Sequence, residues 1–122
     1  KKPTINGDGE TSRDFTFVEN AVQANIKAML SSDIDNHEVF NVACGDQVSL
    51  NEMIDELKTL SNTQIEAIYG PERMGDVKHS KASMSKIENR LGYSPTVTFS
   101  TGLSTVFRWY KENSILDSNE KI

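Results

Sequence analysis

The segment from Val39 to Glu52 constrains the fold more tightly than any other part of the chain. Val39-Phe40-Asn41-Val42-Ala43-Cys44 is short, apolar and rich in β-formers, and it stops at Gly45. Such a run predicts a buried strand, of the kind that lies in a parallel sheet covered on both faces. Four residues later, Ser49-x-x-Glu52 has the form of a capping box, in which hydroxyl and carboxylate each serve the other residue's backbone N–H. The helix it opens carries Leu50, Met53, Ile54, Leu57 and Leu60 on one face and ends at Ser61-Asn62. A buried strand followed closely by an amphipathic helix predicts an α/β fold.

The same alternation runs through the rest of the chain. Val18 to Leu30 predicts a helix with Val18, Val22, Ile26 and Met29 as its packing stripe, supported by Ala21, Ala24 and Ala28. Asn20 and Asn25 fall off that stripe and are expected in water. Ser31 to His37 is a polar connection in which only Ile34 is apolar. Ile65 to Tyr69 predicts a second strand, stopped by Gly70-Pro71. Ser83 is expected to start a short helix that packs through Ile87 and Leu91 and stops at Gly92. Tyr93-Ser94-Pro95 reads as a turn. Val97 to Phe99 reads as extended. Ser100 is the expected cap of a last helix, with Leu103, Val106, Phe107 and Tyr110 inward and Trp109 over the edge. From Asn113 onward the chain is polar and expected to fray.

Composition removes several classes of function. The 122 residues suffice for one domain and one core. The net charge is −5 and no basic cluster is present, which argues against a nucleic-acid surface, although single arginines could still hold a small anion. One cysteine, Cys44, permits no internal disulfide and points to a reducing, cytoplasmic setting. At the end of its strand it reads as a small core residue rather than a nucleophile. No apolar run approaches the ~20 residues of a membrane span, and no signal peptide is recognisable. The chain opens on Lys1-Lys2-Pro3 and runs at once into a motif, which reads as a piece of a longer protein. His37 and His79 lack metal-ligand spacing with any Cys, so no metal site is expected. No Gly-x-Ser-x-Gly elbow and no Gly-x-x-x-x-Gly-Lys-Ser loop occurs.

Two polar loops carry the remaining chemistry. Arg73-Met74-Gly75-Asp76-Val77-Lys78-His79-Ser80 follows the Gly70-Pro71 turn. It offers a guanidinium, whose planar fork suits phosphate or carboxylate oxygens, and a carboxylate able to accept from a hydroxyl pair such as a ribose. By local chemistry alone, a solvated turn whose charges pair with one another stands slightly ahead. The second loop is Asn6-Gly7-Asp8-Gly9-Glu10-Thr11-Ser12-Arg13-Asp14. It reads either as an anion-facing loop with Arg13 as its charge or as a plain hairpin turn. Gly-x-Gly without a preceding strand does not make a dinucleotide fingerprint.

Taken together these stretches resemble a family. Asn6-Gly7-Asp8-Gly9-Glu10-Thr11-Ser12-Arg13-Asp14-Phe15, then Val18 through Asn25, Phe40-Asn41-Val42-Ala43 with Gly45, Ser49-Leu50 and Leu57, follow the order of the extended short-chain dehydrogenase/reductases that act on nucleotide sugars. Arg73 to Ser80, Lys86 and Leu91-Gly92-Tyr93-Ser94-Pro95 continue the match. The nearest subgroup by resemblance is the UDP-N-acetylglucosamine/UDP-glucose 4-epimerases.

The resemblance implies a Rossmann-type enzyme whose C-terminal substrate-binding part, helices around a few short strands, corresponds to residues 1–113, with 114–122 as a polar tail. It implies that Arg13 and Arg73 clamp the diphosphate of a UDP-sugar, that Asp76 holds the ribose hydroxyls, and that Ser80 lines the sugar pocket. A small residue at Ser80 goes with acceptance of a 2-acetamido sugar. It also implies NAD as cofactor and a homodimeric full-length enzyme. The Gly-x-x-Gly-x-x-Gly loop and the Tyr-x-x-x-Lys pair of that family are absent here, and Glu19 stands where many relatives have Asp. No catalytic or NAD-binding residue is therefore expected in this stretch, and the chain alone is expected to be inactive. A dehydratase or decarboxylase of the same superfamily, a non-enzymatic UDP-sugar-binding module, and a structural domain with incidental arginines remain open. The helix from Val18 and the strand from Val39 are expected to have lost their cover, leaving an exposed apolar patch or a self-associating chain.

Overall fold

The computed structural model describes residues 2–34 and 37–113; the expected tail, 114–122, lies outside them. The described residues form four helices and two small pairs of strands. Thr4–Asn6 (β1) runs parallel to Ile68–Gly70 (β4), with Ile5 opposite Tyr69. Ser12–Arg13 (β2) runs antiparallel to Val48–Ser49 (β3), with Ser12 opposite Ser49. Val18–Leu30 (α1) packs on Ser85–Leu91 (α3), and Leu50–Ser61 (α2) packs on Phe99–Asn113 (α4).

The capping box forms as expected. Glu52 N–H donates to Ser49 Oγ at 3.1 Å and Ser49 N–H donates to the Glu52 carboxylate at 2.7 Å. That bond, followed by the Ser49 hydroxyl, holds the Glu52 carboxyl below its ordinary value. Asn62 closes α2 in the left-handed conformation at φ 51°. Gly92 closes α3 in the same region at φ 58°, where a side chain is strained.

The Val39–Cys44 run departs from expectation. It has no ladder partner among the described residues. Phe40 and Val42 pack against a core of Ala24, Ile87 and Tyr93, while Val39 is 84% exposed. Side chains serve its backbone instead: Lys86 donates to the Val39 carbonyl and the Tyr93 hydroxyl to the Ala43 carbonyl. The Cys44 and Gly45 N–H groups both donate to the Asp14 carboxylate at 2.8 Å. A β-forming run becomes a strand only when another backbone lies beside it, and none of the described segments does.

Helix α1 keeps its predicted ends but reverses its predicted faces. Val18, Val22, Ile26 and Met29 are exposed, whereas Asn20 and Ala24 are buried. Asn20 accepts from the Thr96 and Val97 N–H groups at 3.0 and 3.1 Å and donates to the Val97 carbonyl at 2.7 Å. A polar side chain tolerates full burial when its donors and acceptors are met in this way. Asn25 is exposed, as expected.

Smaller corrections follow the same physics. A strand, β1, does precede the Gly7-Asp8-Gly9 loop. Strand β4 starts at Ile68 rather than Ile65 and includes Gly70, because its ladder is set by the three residues of β1. Helix α3 starts at Ser85, and the Ser83 carbonyl is taken by Asn41. Thr98, not Ser100, caps α4, accepting from Thr101 N–H at 3.3 Å. The buried position of α4 is Gly102, where a Cβ would come within 2.9 Å of Phe17, while Val106 and Tyr110 are exposed. Tyr93, read as part of a turn, is the largest fully buried side chain.

Candidate functional site

Strand β2 brings the two polar loops together. Ser12 N–H donates to the Lys78 carbonyl at 3.0 Å and the Ser12 carbonyl accepts from Ser80 N–H at 3.3 Å. The Ser12 hydroxyl meets His79 Nδ1 at 2.9 Å, and Ser12 is buried. The loop after β4 is thus fastened beside Arg13 by one buried serine. Asp14, the next residue, ties the same strand to the Cys44-Gly45 corner. On its other side β2 is paired to the strand that leads into the capped helix α2.

Arg13 reaches across this junction. Its Nη2 meets Asp76 Oδ1 at 2.6 Å and its Nη1 donates to the Ser12 carbonyl at 2.8 Å. Asp76 lines a surface cleft together with Arg73, Glu72, Lys78, Asp8 and the Asn6-Gly7 turn. Lys78 Nζ lies 3.5 Å from Asp8 Oδ2. The Asp8 carboxyl is held below its ordinary value, first by the Glu10 N–H that donates to it and then by Lys78. Among the described residues Arg73 makes no ion pair.

Of the four residues singled out from the sequence, Arg73 and Asp76 line the cleft, Arg13 joins it through Asp76, and Ser80 is joined to Arg13's strand through its backbone. The residues that reading missed are Ser12 and Asp14, which hold Arg13's strand, and the Lys78–Asp8 pair in the cleft wall. Their signal was present, since all four sit inside the two stretches quoted. Nothing local distinguishes a serine that fastens a loop from one in water. The Gly7-Asp8-Gly9 turn does not fit a dinucleotide. A Cβ at Gly9 would overlap the Asn51 side chain, Asn51 N–H donates to the Gly9 carbonyl, and no helix starts at the loop. Among the described residues no group of His, Cys, Asp and Glu could hold a metal, and no helix is long and apolar enough to cross a membrane.

A mixed α/β fold with an arginine-bearing cleft at a loop junction defines the class of structure. The chain belongs to the GDP-mannose 4,6-dehydratase family, whose model matches residues 1–106. It is 32% identical over 114 residues to a putative UDP-glucose 4-epimerase of Methanocaldococcus jannaschii, covering 93% of this chain and 36% of that protein. The UDP-N-acetylglucosamine 4-epimerase of Methanobrevibacter ruminantium, solved with UDP-N-acetylmuramic acid, superposes with TM-score 0.82 at 33% identity, over 92% of this chain and 35% of its own. The UDP-glucuronic acid 4-epimerase of Bacillus cereus, solved with UDP-glucuronic acid and NAD, superposes with TM-score 0.86 at 30% identity, over 92% and 36%. The chain therefore has the fold of part of an extended short-chain dehydrogenase/reductase and spans about a third of the length of these relatives.

Proposed function

We propose that residues 1–113 form the C-terminal, nucleotide-sugar-binding portion of an NAD-dependent UDP-sugar 4-epimerase of the UDP-N-acetylglucosamine/UDP-glucose kind. The observation that carries this reading is that Arg73 and Asp76 line one cleft and that Asp76 pairs with Arg13. In this reading Arg13 and Arg73 grip the two phosphates with their planar forks. Asp76 accepts from the ribose diol, and Ser80 leaves room for a 2-acetamido group while offering a hydroxyl. Binding energy gathered at the diphosphate, remote from C4, holds the sugar in the orientation its chemistry needs.

NAD, bound by the remainder of the enzyme, supplies oxidation and re-reduction at C4; the turn at Gly7-Asp8-Gly9 plays no part in holding it. The full-length enzyme is read as a cytoplasmic homodimer. The test is calorimetric titration of UDP into the chain and into its Arg13→Ala and Arg73→Ala variants. Each variant is expected to weaken binding about ten-fold or more, the cost of a lost charge-assisted hydrogen bond to phosphate. Equal affinity in all three proteins would overturn the assignment of the clamp. A reading frame upstream of Lys1 that encodes a glycine-rich loop and a Tyr-x-x-x-Lys pair is expected alongside it.

A further inference from the structure

We infer that Asp76 decides which anions this cleft accepts, because it holds the guanidinium that a phosphate would need. The inference rests on the nucleotide-sugar reading above and adds a discrimination to it. Each terminal nitrogen of Arg13 already makes one hydrogen bond, Nη2 to Asp76 at 2.6 Å and Nη1 to the Ser12 carbonyl at 2.8 Å. Lys78 is likewise faced by Asp8. Around the cleft Asp8, Glu72 and Asp76 offset Arg13, Arg73 and Lys78, so the wall carries no net positive charge. Free phosphate or pyrophosphate meets a balanced field rather than a cationic funnel.

To take the Arg13 N–H that points at Asp76, an inorganic anion must displace a carboxylate and leave it facing the phosphate charges without a partner. A ligand that carries a vicinal diol next to its diphosphate offers that carboxylate two hydroxyl donors as it gives up Arg13. The exchange then conserves hydrogen bonds for the nucleotide and loses one for the bare anion. Selectivity arises from the penalty laid on the wrong ligand. The loop has room for the exchange. Residues 71–81 are all exposed, and at Gly75, φ +80°, a Cβ would meet nothing within 4 Å. The Arg13 and Asp76 side chains are 30% and 44% exposed, so their bond is a screened one that a ligand can replace.

The experiment titrates inorganic pyrophosphate and UDP separately into the wild-type chain, Asp76→Ala and Asp76→Glu, at fixed ionic strength, following amide shifts of Ser12 to Asp14 by NMR. Asp76→Ala is expected to bind pyrophosphate about three-fold tighter, the scale of one exposed ion pair, and UDP about ten-fold more weakly, the scale of lost bonds to a charged acceptor. Asp76→Glu keeps the carboxylate and is expected to hold pyrophosphate affinity near wild type. UDP binding by the wild type with pyrophosphate affinity unchanged or reduced in Asp76→Ala overturns this inference and leaves the nucleotide reading standing. Pyrophosphate binding as tight in Asp76→Glu as in Asp76→Ala also overturns it. Absence of saturable UDP binding by the wild type overturns both.

Discussion

Asn20 shows how far a single residue can sit from its apparent role. Flanked by the apolar stripe of α1, it reads as a solvated position, yet it is fully buried and satisfies three backbone groups at Thr96 and Val97. Those bonds fix the entry to α4, so one amide couples two helices distant in sequence. Asn20→Ala strips partners from groups already out of water, each worth about 1–3 kcal/mol when orphaned. A total loss of roughly 2–4 kcal/mol is expected in urea denaturation, and a loss under about 1 kcal/mol would show that water replaces the amide. Tyr93 works on the same principle: its ring fills the core and its hydroxyl donates to the Ala43 carbonyl at 2.9 Å. Burial, with Cys44 and Asp14 adding to it, pushes the Tyr93 phenol up. The choice of Arg13, Arg73, Asp76 and Ser80 as candidates rested on residue type and family resemblance. The couplings of Asn20 and Tyr93 were not, because a hydrogen bond to a distant backbone leaves no periodic trace.

Among the elements, α2 is the most completely written in local chemistry. Its cap, its apolar face and its left-handed stop at Asn62 are all specified within fourteen consecutive positions, Ser49 to Asn62. Its N-terminal cap carries a pH dependence with a definite sign. The Glu52 carboxyl lies below its ordinary 4.5 in the folded chain. The stabilisation it gives is therefore complete above that ordinary value and fades as pH falls through the lower folded value. Thermal melts between pH 7 and pH 3 are expected to lose less of their midpoint in Glu52→Gln than in wild type, since the amide accepts from Ser49 N–H without titrating. Equal slopes would show that the cap does not contribute. The Val39–Cys44 segment is the opposite case. Its composition is that of a strand, but pairing requires a second backbone that no local pattern can supply.

For the whole molecule, the exposed stripe of α1 and Val39 are two parts of one fact. Met29 is 75% exposed and Val39 84%, and Val18, Val22 and Ile26 are exposed as well. Burying side chains of this size is worth about 1.5–3 kcal/mol each, so leaving them in water forgoes much of the energy a small domain has. We propose that the remainder of the full-length enzyme covers them and that the isolated chain associates with itself through them. Light scattering at high concentration is expected to give a mass above 13.6 kDa, reduced to the monomer by Val22→Lys with Met29→Lys. A monomeric wild type would remove the proposal.

The sequence alone determined the helices and their approximate limits, the capping box, the glycine stops, the α/β class and the residue types able to hold a diphosphate. Those features depend on neighbours within one or two turns, and such neighbours are written next to one another. Tertiary structure decided that the stripe of α1 faces outward, that Asn20 is a buried joint, that the Val39–Cys44 run has no strand partner among the described residues, and that Ser12 fastens the Arg73–Ser80 loop beside Arg13. Each of those outcomes turns on which distant surface arrives opposite a residue, and the free energy of burial or pairing belongs to both surfaces together.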